Sequence, residues 1–133
     1  CDVDDMLAVK AAVANFDKAM RISTNCVAAM IGKAKLLMAI DETESALDLL
    51  TRAMKSPDAG FDGIFTLAMA LYKNNEVKAA IKVLKRAAKA DKNSTKPHEV
   101  LLEIYMNMGL EDLADEQRDA ISRIRKRQSK KKK

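Results

Sequence analysis

The sequence predicts an all-α fold in which about seven helices stack as antiparallel hairpins. Small and apolar residues recur every 34 positions, a period typical of helical repeats whose single units cannot bury their own apolar face. Only 4 Gly and 2 Pro interrupt a chain of 133 residues that is rich in good helix formers such as Ala, Leu, Lys and Met. Runs of alternating polarity, which would predict strands, are absent from the sequence.

The recurrence is carried by alanine and by larger apolar residues at fixed places in each unit. Because Ala has only a methyl side chain, it lets two helices approach closely where they cross. We therefore expect these positions at helix crossings or in the core beside them: Ala12, Ala46, Ala80 and Ala114; Phe16, Leu50 and Leu84; Ala19, Ala53 and Ala87; Ala34, Ala68 and Leu102.

The first half of the chain predicts three helices. Apolar residues at helical spacing indicate an amphipathic helix over residues 3–22, and the same periodicity continues over 26–40 and 44–55. Asp41 and Glu42 turn the chain between the second and third helices. The segment 56–60 (SPDAG) then ends the third helix, because Pro and Gly interrupt helical structure.

The second half predicts four further helices, over residues 61–73, 76–90, 97–108 and from about 111 to 122. Asn74 and Asn75 mark a tight turn, since Asn tolerates a left-handed backbone. Pro97 suits the first turn of a helix, and Gly109 suits a C-terminal cap. The short loops make successive helices antiparallel neighbours.

Charge is distributed unevenly along the chain. The net charge of +5 arises from 24 basic and 19 acidic residues. Residues 123–133 contain eight of these basic residues and no acidic one, so the rest has 16 basic and 19 acidic residues and a net charge of −3. We therefore predict a helical repeat domain over residues 1–122 and a basic, disordered tail over 123–133, because the tail lacks apolar partners.

The 34-residue units resemble the tetratricopeptide repeat (TPR) family, whose helix–turn–helix units have one small residue in the first helix and two in the second. The matching units are a half repeat over residues 3–24 and repeats over 27–60, 61–94 and 95–122. The resemblance implies a right-handed superhelical stack, a TPR-like α-solenoid. In the last unit Arg118 replaces the large apolar residue, as a more polar terminal capping helix requires.

In the TPR family the first helices of the units line a concave groove that receives a peptide. When the groove positions of the family are carried over residue by residue, the resemblance implies a groove with an apolar centre and a charged rim in this chain. The predicted groove consists of Ile31, Lys35, Met38, Phe65, Met69, Tyr72, Lys73, Glu103, Met106 and Asn107, with Ala28, Ala39, Asp62, Lys96 and Glu99 on the same helix faces. Each of these side chains could instead pack against a neighbouring helix.

Catalytic chemistry has little support in the sequence. His98 is the only histidine and has no Asp, Cys or Ser partner at motif spacing, so packing or a partly exposed cap is the favoured interpretation. A Gly-rich phosphate loop, an HExxH motif and a CxxC motif are all missing. We therefore expect no enzyme activity, no cofactor and no metal site. The Asn and Lys/Arg set of chaperone-binding TPR proteins is also not present at the corresponding positions.

The predicted function is a protein–protein interaction module, an adaptor or scaffold that binds a peptide in its groove as part of a larger, for example signalling, protein. Cys1 and Cys26 lack a partner motif and suit a reduced, cytoplasmic setting, and no apolar stretch is long enough to span a membrane. One alternative is a homodimer formed through the apolar stripe of residues 9–20. Another is binding of nucleic acid or an acidic surface by the tail, although nucleic acid is disfavoured because the tail lacks aromatic residues.

Overall fold

Helix ends between residues 27 and 111 lie within two residues of their predicted positions. A computed structural model describes residues 27–131; the predicted helix over 3–22, the stripe of residues 9–20, Cys1 and Cys26 lie outside the described residues. The described helices are α1 (Val27–Ala39), α2 (Thr43–Ala53), α3 (Gly60–Lys73), α4 (Val77–Ala90), α5 (Lys96–Asn107) and α6 (Glu111–Lys131), with a 3-10 turn (Pro57–Ala59) before α3.

The turns inside the three described hairpins share one backbone geometry. Asp41, Asn75 and Gly109 adopt the left-handed conformation, with φ of 63°, 63° and 73°, and they are 34 residues apart. The next N–H in each turn donates to the carbonyl five residues earlier, which satisfies a carbonyl at the helix end. These bonds join Glu42 to Leu37 at 2.8 Å, Glu76 to Leu71 at 2.9 Å and Leu110 to Tyr105 at 2.9 Å.

The alanines of the 34-residue series lie at the helix crossings. Ala34, Ala46, Ala68, Ala80 and Ala114 are completely buried. A larger side chain at such a position would separate helices that are in direct contact, because protein interiors leave no room for additional atoms. The recurrence therefore marks the contact points of the stack, as expected from its small residues.

Two clusters of buried side chains form the core. The first joins α1 and α2 to α3, through Ala70, and includes the fully buried Leu50. The second joins α3, α4, α5 and α6 and includes Leu84, Leu101 and Tyr105. Burial of each large apolar side chain stabilises the fold by about 1.5–3 kcal/mol. Contacts between α1 and α3, and between α4 and α5, connect the hairpins into one stack.

The prediction of disorder from residue 123 onwards is wrong for residues 123–131, because α6 continues to Lys131. Ile121 and Ile124 remain buried. Beyond them, Arg127 donates to the carbonyl of Lys92 at 3.1 Å and Gln128 donates to that of Asn93 at 2.9 Å. The helix is thus attached along one face to the loop between α4 and α5, although its other face is basic.

No helix within residues 27–131 combines the length and the apolar composition needed to cross a bilayer.

Candidate functional site

The first helices of two successive repeats, α1 and α3, lie in contact and are connected by charged side chains. Lys35 on α1 donates to both carboxylate oxygens of Asp62 on α3, at 3.0 and 3.1 Å. At the C-terminal end of α3, Lys73 donates to the carbonyl of Met38 near the end of α1 and forms an ion pair with Asp41 at 3.1 Å. These contacts connect the C-terminal half of α1 to both ends of α3.

A concave pocket of about 250 Å³ lies on this face, and we call it the groove pocket. It is lined by Lys35, Met38, Asp62, Phe65, Thr66, Met69 and Lys96. These residues belong to α1, α3 and the first turn of α5, which are the first helices of three successive repeats. The structure thus brings together six residues that the resemblance assigned to the groove.

Thr66 is the lining residue that the groove prediction missed. Its side chain is 5% exposed, and its hydroxyl donates to the carbonyl of Asp62 at 2.6 Å. The hydroxyl is therefore already satisfied within α3. The signal in the sequence was its spacing, because residues four and three positions apart, as in Asp62, Thr66 and Met69, share one helix face.

The aromatic side chain in the pocket has a defined orientation. Phe65 stacks on Phe61, one turn earlier on α3, with ring centroids 5.7 Å apart and an angle of 12° between the ring planes. Phe65 also packs against the second core cluster, so its ring is half-buried. Met38 and Met69 beside it are half-buried and unbranched, and such side chains adapt readily to different partners.

Ile31 is a correction to the predicted groove. Its side chain is 5% exposed and belongs to the first core cluster, so it has no surface to offer a partner. The reason is the close approach of α3: a Cβ atom on Gly63 would lie 3.1 Å from Cδ1 of Ile31. The glycine at this crossing allows the helices to meet over Ile31 and cover it.

The remaining predicted residues do not line the groove pocket. Tyr72 packs against the second core cluster, and Lys73 holds α1 and α3 together as described above. Glu103, Met106 and Asn107 are exposed on α5. The sulfur of Met106 lies 3.5 Å from a guanidinium nitrogen of Arg118 on α6. A role for these residues in binding stays a prediction.

His98 joins two helices. Its Nδ1 lies 2.8 Å from Oε1 of Gln117, so α5 and α6 are connected by a partly buried hydrogen bond. This geometry agrees with the packing role that the sequence favours. Over residues 27–131, no group of three or more His, Cys, Asp or Glu side chains is placed to hold a metal ion.

Solved structures with a similar arrangement of helices include MamA, residues 41 to the end, from Desulfovibrio magneticus RS-1, with a TM-score of 0.82 and 20% identity over 95% of this chain and 71% of that chain. A second MamA crystal structure has a TM-score of 0.77 and 23% identity over 93% of this chain and 75% of that one. YrrB, described as a TPR protein with an unusual peptide-binding site, has a TM-score of 0.74 and 22% identity over 92% of this chain and 63% of that chain.

The fold is that of a TPR-like helical repeat stack. The predicted fold class is therefore confirmed. At these identities the similarity shows the fold alone. No protein-family profile matches the sequence, and no curated protein matches it.

Proposed function

We propose that this protein is an adaptor that binds a segment of another protein in the groove pocket. The observation that carries the proposal is the convergence of three first helices on one concave site with an apolar centre. Phe65, Met38 and Met69 form that centre, and Lys35, Asp62 and Lys96 surround it with charges. Pockets with apolar linings and a few polar groups are the usual form of binding sites.

The size of the groove pocket favours a protein segment over a free small molecule. Its volume of about 250 Å³ lies below the range of roughly 300–1,000 Å³ that is typical of small-molecule sites. One apolar side chain of a peptide would fit as an anchor, while the rest of the peptide extends along the surface. Anchors of this kind commonly provide most of the binding energy of an interface.

The ion pair at the edge of the pocket also suits a polar partner. The side chains of Lys35 and Asp62 are 52% and 64% exposed, so the pair is solvated and contributes little to stability. Each charge can turn towards a group of opposite sign on a bound segment at small energetic cost. The pocket thereby offers both a donor and an acceptor beside its apolar centre.

The structural neighbours support a binding role of this kind. YrrB is described as having a peptide-binding site, and its helices superpose on the present fold. We extend this to a non-catalytic role for the present chain. We also propose that the chain is part of a larger signalling protein and that this protein is cytoplasmic.

The experiment that tests this proposal is selection of a displayed library of random peptides against the protein. One selected peptide is synthesised, and its Kd is measured by fluorescence anisotropy for the wild type and for Met69→Glu. A carboxylate in the apolar centre should weaken binding about tenfold or more, because it would be desolvated without a partner.

Met108→Glu is the matched control, since Met108 is 50% exposed at the end of α5 and lies outside the pocket. The control should bind as tightly as the wild type. Equal binding by a folded Met69→Glu variant, or a library that yields no binding peptide, would contradict the proposal.

A further inference from the structure

A second concave surface lies between α4, the start of α5 and the second half of α6. It has a volume of about 570 Å³, and we call it the cationic pocket. Five of its lining residues carry a positive charge, and none carries a negative charge: Lys89, Lys92, Arg123, Lys126 and Arg127. The sequence separates these residues into two groups about 30 positions apart, and only the packing of α6 brings them together.

The apolar floor of the cationic pocket is made by Ala88, Ala120 and Ile124. The Ile124 side chain is almost completely buried, and the two alanines are partly exposed. The aliphatic stems of the surrounding Lys and Arg side chains extend this apolar surface while their charged ends reach the solvent. The pocket therefore combines an apolar floor with a ring of positive charge.

The positive charges of this pocket lack acidic partners. Within the described part of the chain, no carboxylate forms an ion pair with any of the five cationic residues. Helix α4 contains no acidic residue between Val77 and Ala90. Clustered like charges repel each other and raise the local potential, so they favour the binding of a group of opposite charge.

The position of the second half of α6 is fixed by hydrogen bonds. Arg127 and Gln128 donate to the carbonyls of Lys92 and Asn93, and Arg125 forms an ion pair with Glu99 at 3.5 Å. These bonds connect α6 to the loop before α5 and to α5 itself. The cationic side chains of α6 are therefore presented from a held helix, which lowers the entropic cost of binding.

We propose that the cationic pocket binds an acidic protein segment that carries one apolar anchor residue. Asp and Glu side chains of the segment pair with the ring of Lys and Arg, and the anchor contacts the partly exposed Ala88 and Ala120, behind which Ile124 is buried. Complementary charge accelerates association and selects the partner, while the buried apolar contact slows its release. This surface is separate from the groove pocket, with which it shares no lining residue.

The apolar floor favours a protein segment over nucleic acid and over a membrane. Phosphate groups of a nucleic acid would neutralise the cations, but no Phe, Tyr or Trp lines the pocket to stack on a base, and the ring of His98, which does line it, is hydrogen-bonded to Gln117 at 2.8 Å. A planar anionic membrane would contact the outer charges and leave the concave floor uncovered. A peptide with an apolar side chain between acidic residues uses both features.

The test uses short fluorescein-labelled peptides in which acidic residues flank one central position. That position is Leu, Met or Phe in three peptides and Ser in a fourth. The Kd of each peptide for the whole chain is measured by anisotropy titration. The three apolar peptides should bind. The Ser peptide should bind about fivefold or more weakly, because the floor then loses its apolar contact. A short DNA duplex and vesicles containing phosphatidylserine serve as competing ligands.

Charge reversal locates the site. Lys126→Glu should weaken binding of the Leu peptide about tenfold, since it places a negative charge in the ring. The matched control is Lys78→Glu, an exposed lysine on the first turn of α4 that is about 16 Å along the helix from Lys89. Screening by salt makes charges at this separation weakly coupled, so the control should change binding less than about twofold.

Met69→Glu separates this inference from the function proposed for the groove pocket. It should leave binding of the acidic peptides unchanged. Loss of their binding in Met69→Glu, equal effects of Lys126→Glu and Lys78→Glu, or an absence of binding by all apolar peptides would overturn the inference. Tighter binding of the duplex or the vesicles than of the peptides would overturn it as well.

Discussion

The groove pocket and the cationic pocket are both concave, and both have apolar residues at their base, yet they differ in charge. In the groove pocket Lys35 and Asp62 neutralise each other at 3.0 Å. In the cationic pocket five positive side chains converge without a carboxylate among the lining residues. In the functions proposed above, one repeat architecture supports two surfaces that select partners differently, by apolar contact in the first and by charge in the second.

The difference arises from the positions that the repeat leaves free. Buried alanines at the helix crossings fix the spacing of the backbone in the three units within residues 27–131. Exposed positions between them accept a wider range of side chains than the buried alanines do, so their charges vary from one unit to the next. Helix α3 has both an acidic first turn and a basic last turn, whereas α4 has only basic charged residues.

The largest expected effect comes from the core that both pockets share. Leu84 is completely buried in the second cluster, which also supports Phe65 and contains residues from α3 to α6. Leu84→Ala should lower the free energy of unfolding by about 2–5 kcal/mol, because it removes apolar contacts and leaves a cavity. Urea denaturation measures this loss, and binding at both pockets should weaken at temperatures where the variant is partly unfolded.

Leu113→Ala is the control for the core prediction. Leu113 lies on α6 and is 37% exposed, so its replacement should cost far less. A loss below about 1 kcal/mol for Leu84→Ala would show that the second cluster is not a common support.

A substitution in the turn between α5 and α6 should have an intermediate effect and should destabilise the cationic pocket more than the groove pocket. Gly109 has a φ of +73°, and no atom within 4 Å would meet an added Cβ, so Gly109→Ala introduces backbone strain without a clash. We expect a cost of about 1–2 kcal/mol. Hydrogen exchange should accelerate at amides of α6, which carries part of the cationic pocket, and change little at α1 and α3.

Met108→Ala provides the comparison for this turn, because Met108 is half-exposed and has an ordinary right-handed backbone. Its effect should stay within about 0.5 kcal/mol. Equal acceleration of exchange in α1, α3 and α6 upon Gly109→Ala would mean that the two ends of the stack are not energetically separable.

The smallest effect concerns the ion pair of the groove pocket. A double-mutant cycle with Lys35→Ala and Asp62→Ala should give a coupling free energy of about 0–1 kcal/mol, because both side chains are more than half-exposed. Thermal or urea unfolding of the four proteins measures it. A coupling well above this range would mean that the pair holds α1 against α3 and is not free to turn towards a ligand.

Much of the groove pocket could be predicted from the sequence, since the family resemblance assigned Lys35, Met38, Phe65 and Met69 to it and all four line it. Ile31 could not be excluded in advance, because its burial depends on how closely α3 approaches at Gly63. The cationic pocket could not be predicted either. Its basic residues were visible in the sequence, but the residues from 123 onwards were expected to be disordered.

The sequence by itself determined the helices, their turns and the crossing points. Helix propensity and capping are local properties of the chain, and the 34-residue period is visible along it without knowledge of the packing. Only the tertiary structure decided which exposed faces are covered and which charges converge. The end of α6 shows this clearly: its basic residues do not by themselves indicate a packed helix, and hydrogen bonds to the carbonyls of Lys92 and Asn93, 35 residues earlier, hold it against α4 and α5. Such contacts depend on distances between remote segments, which folding alone establishes.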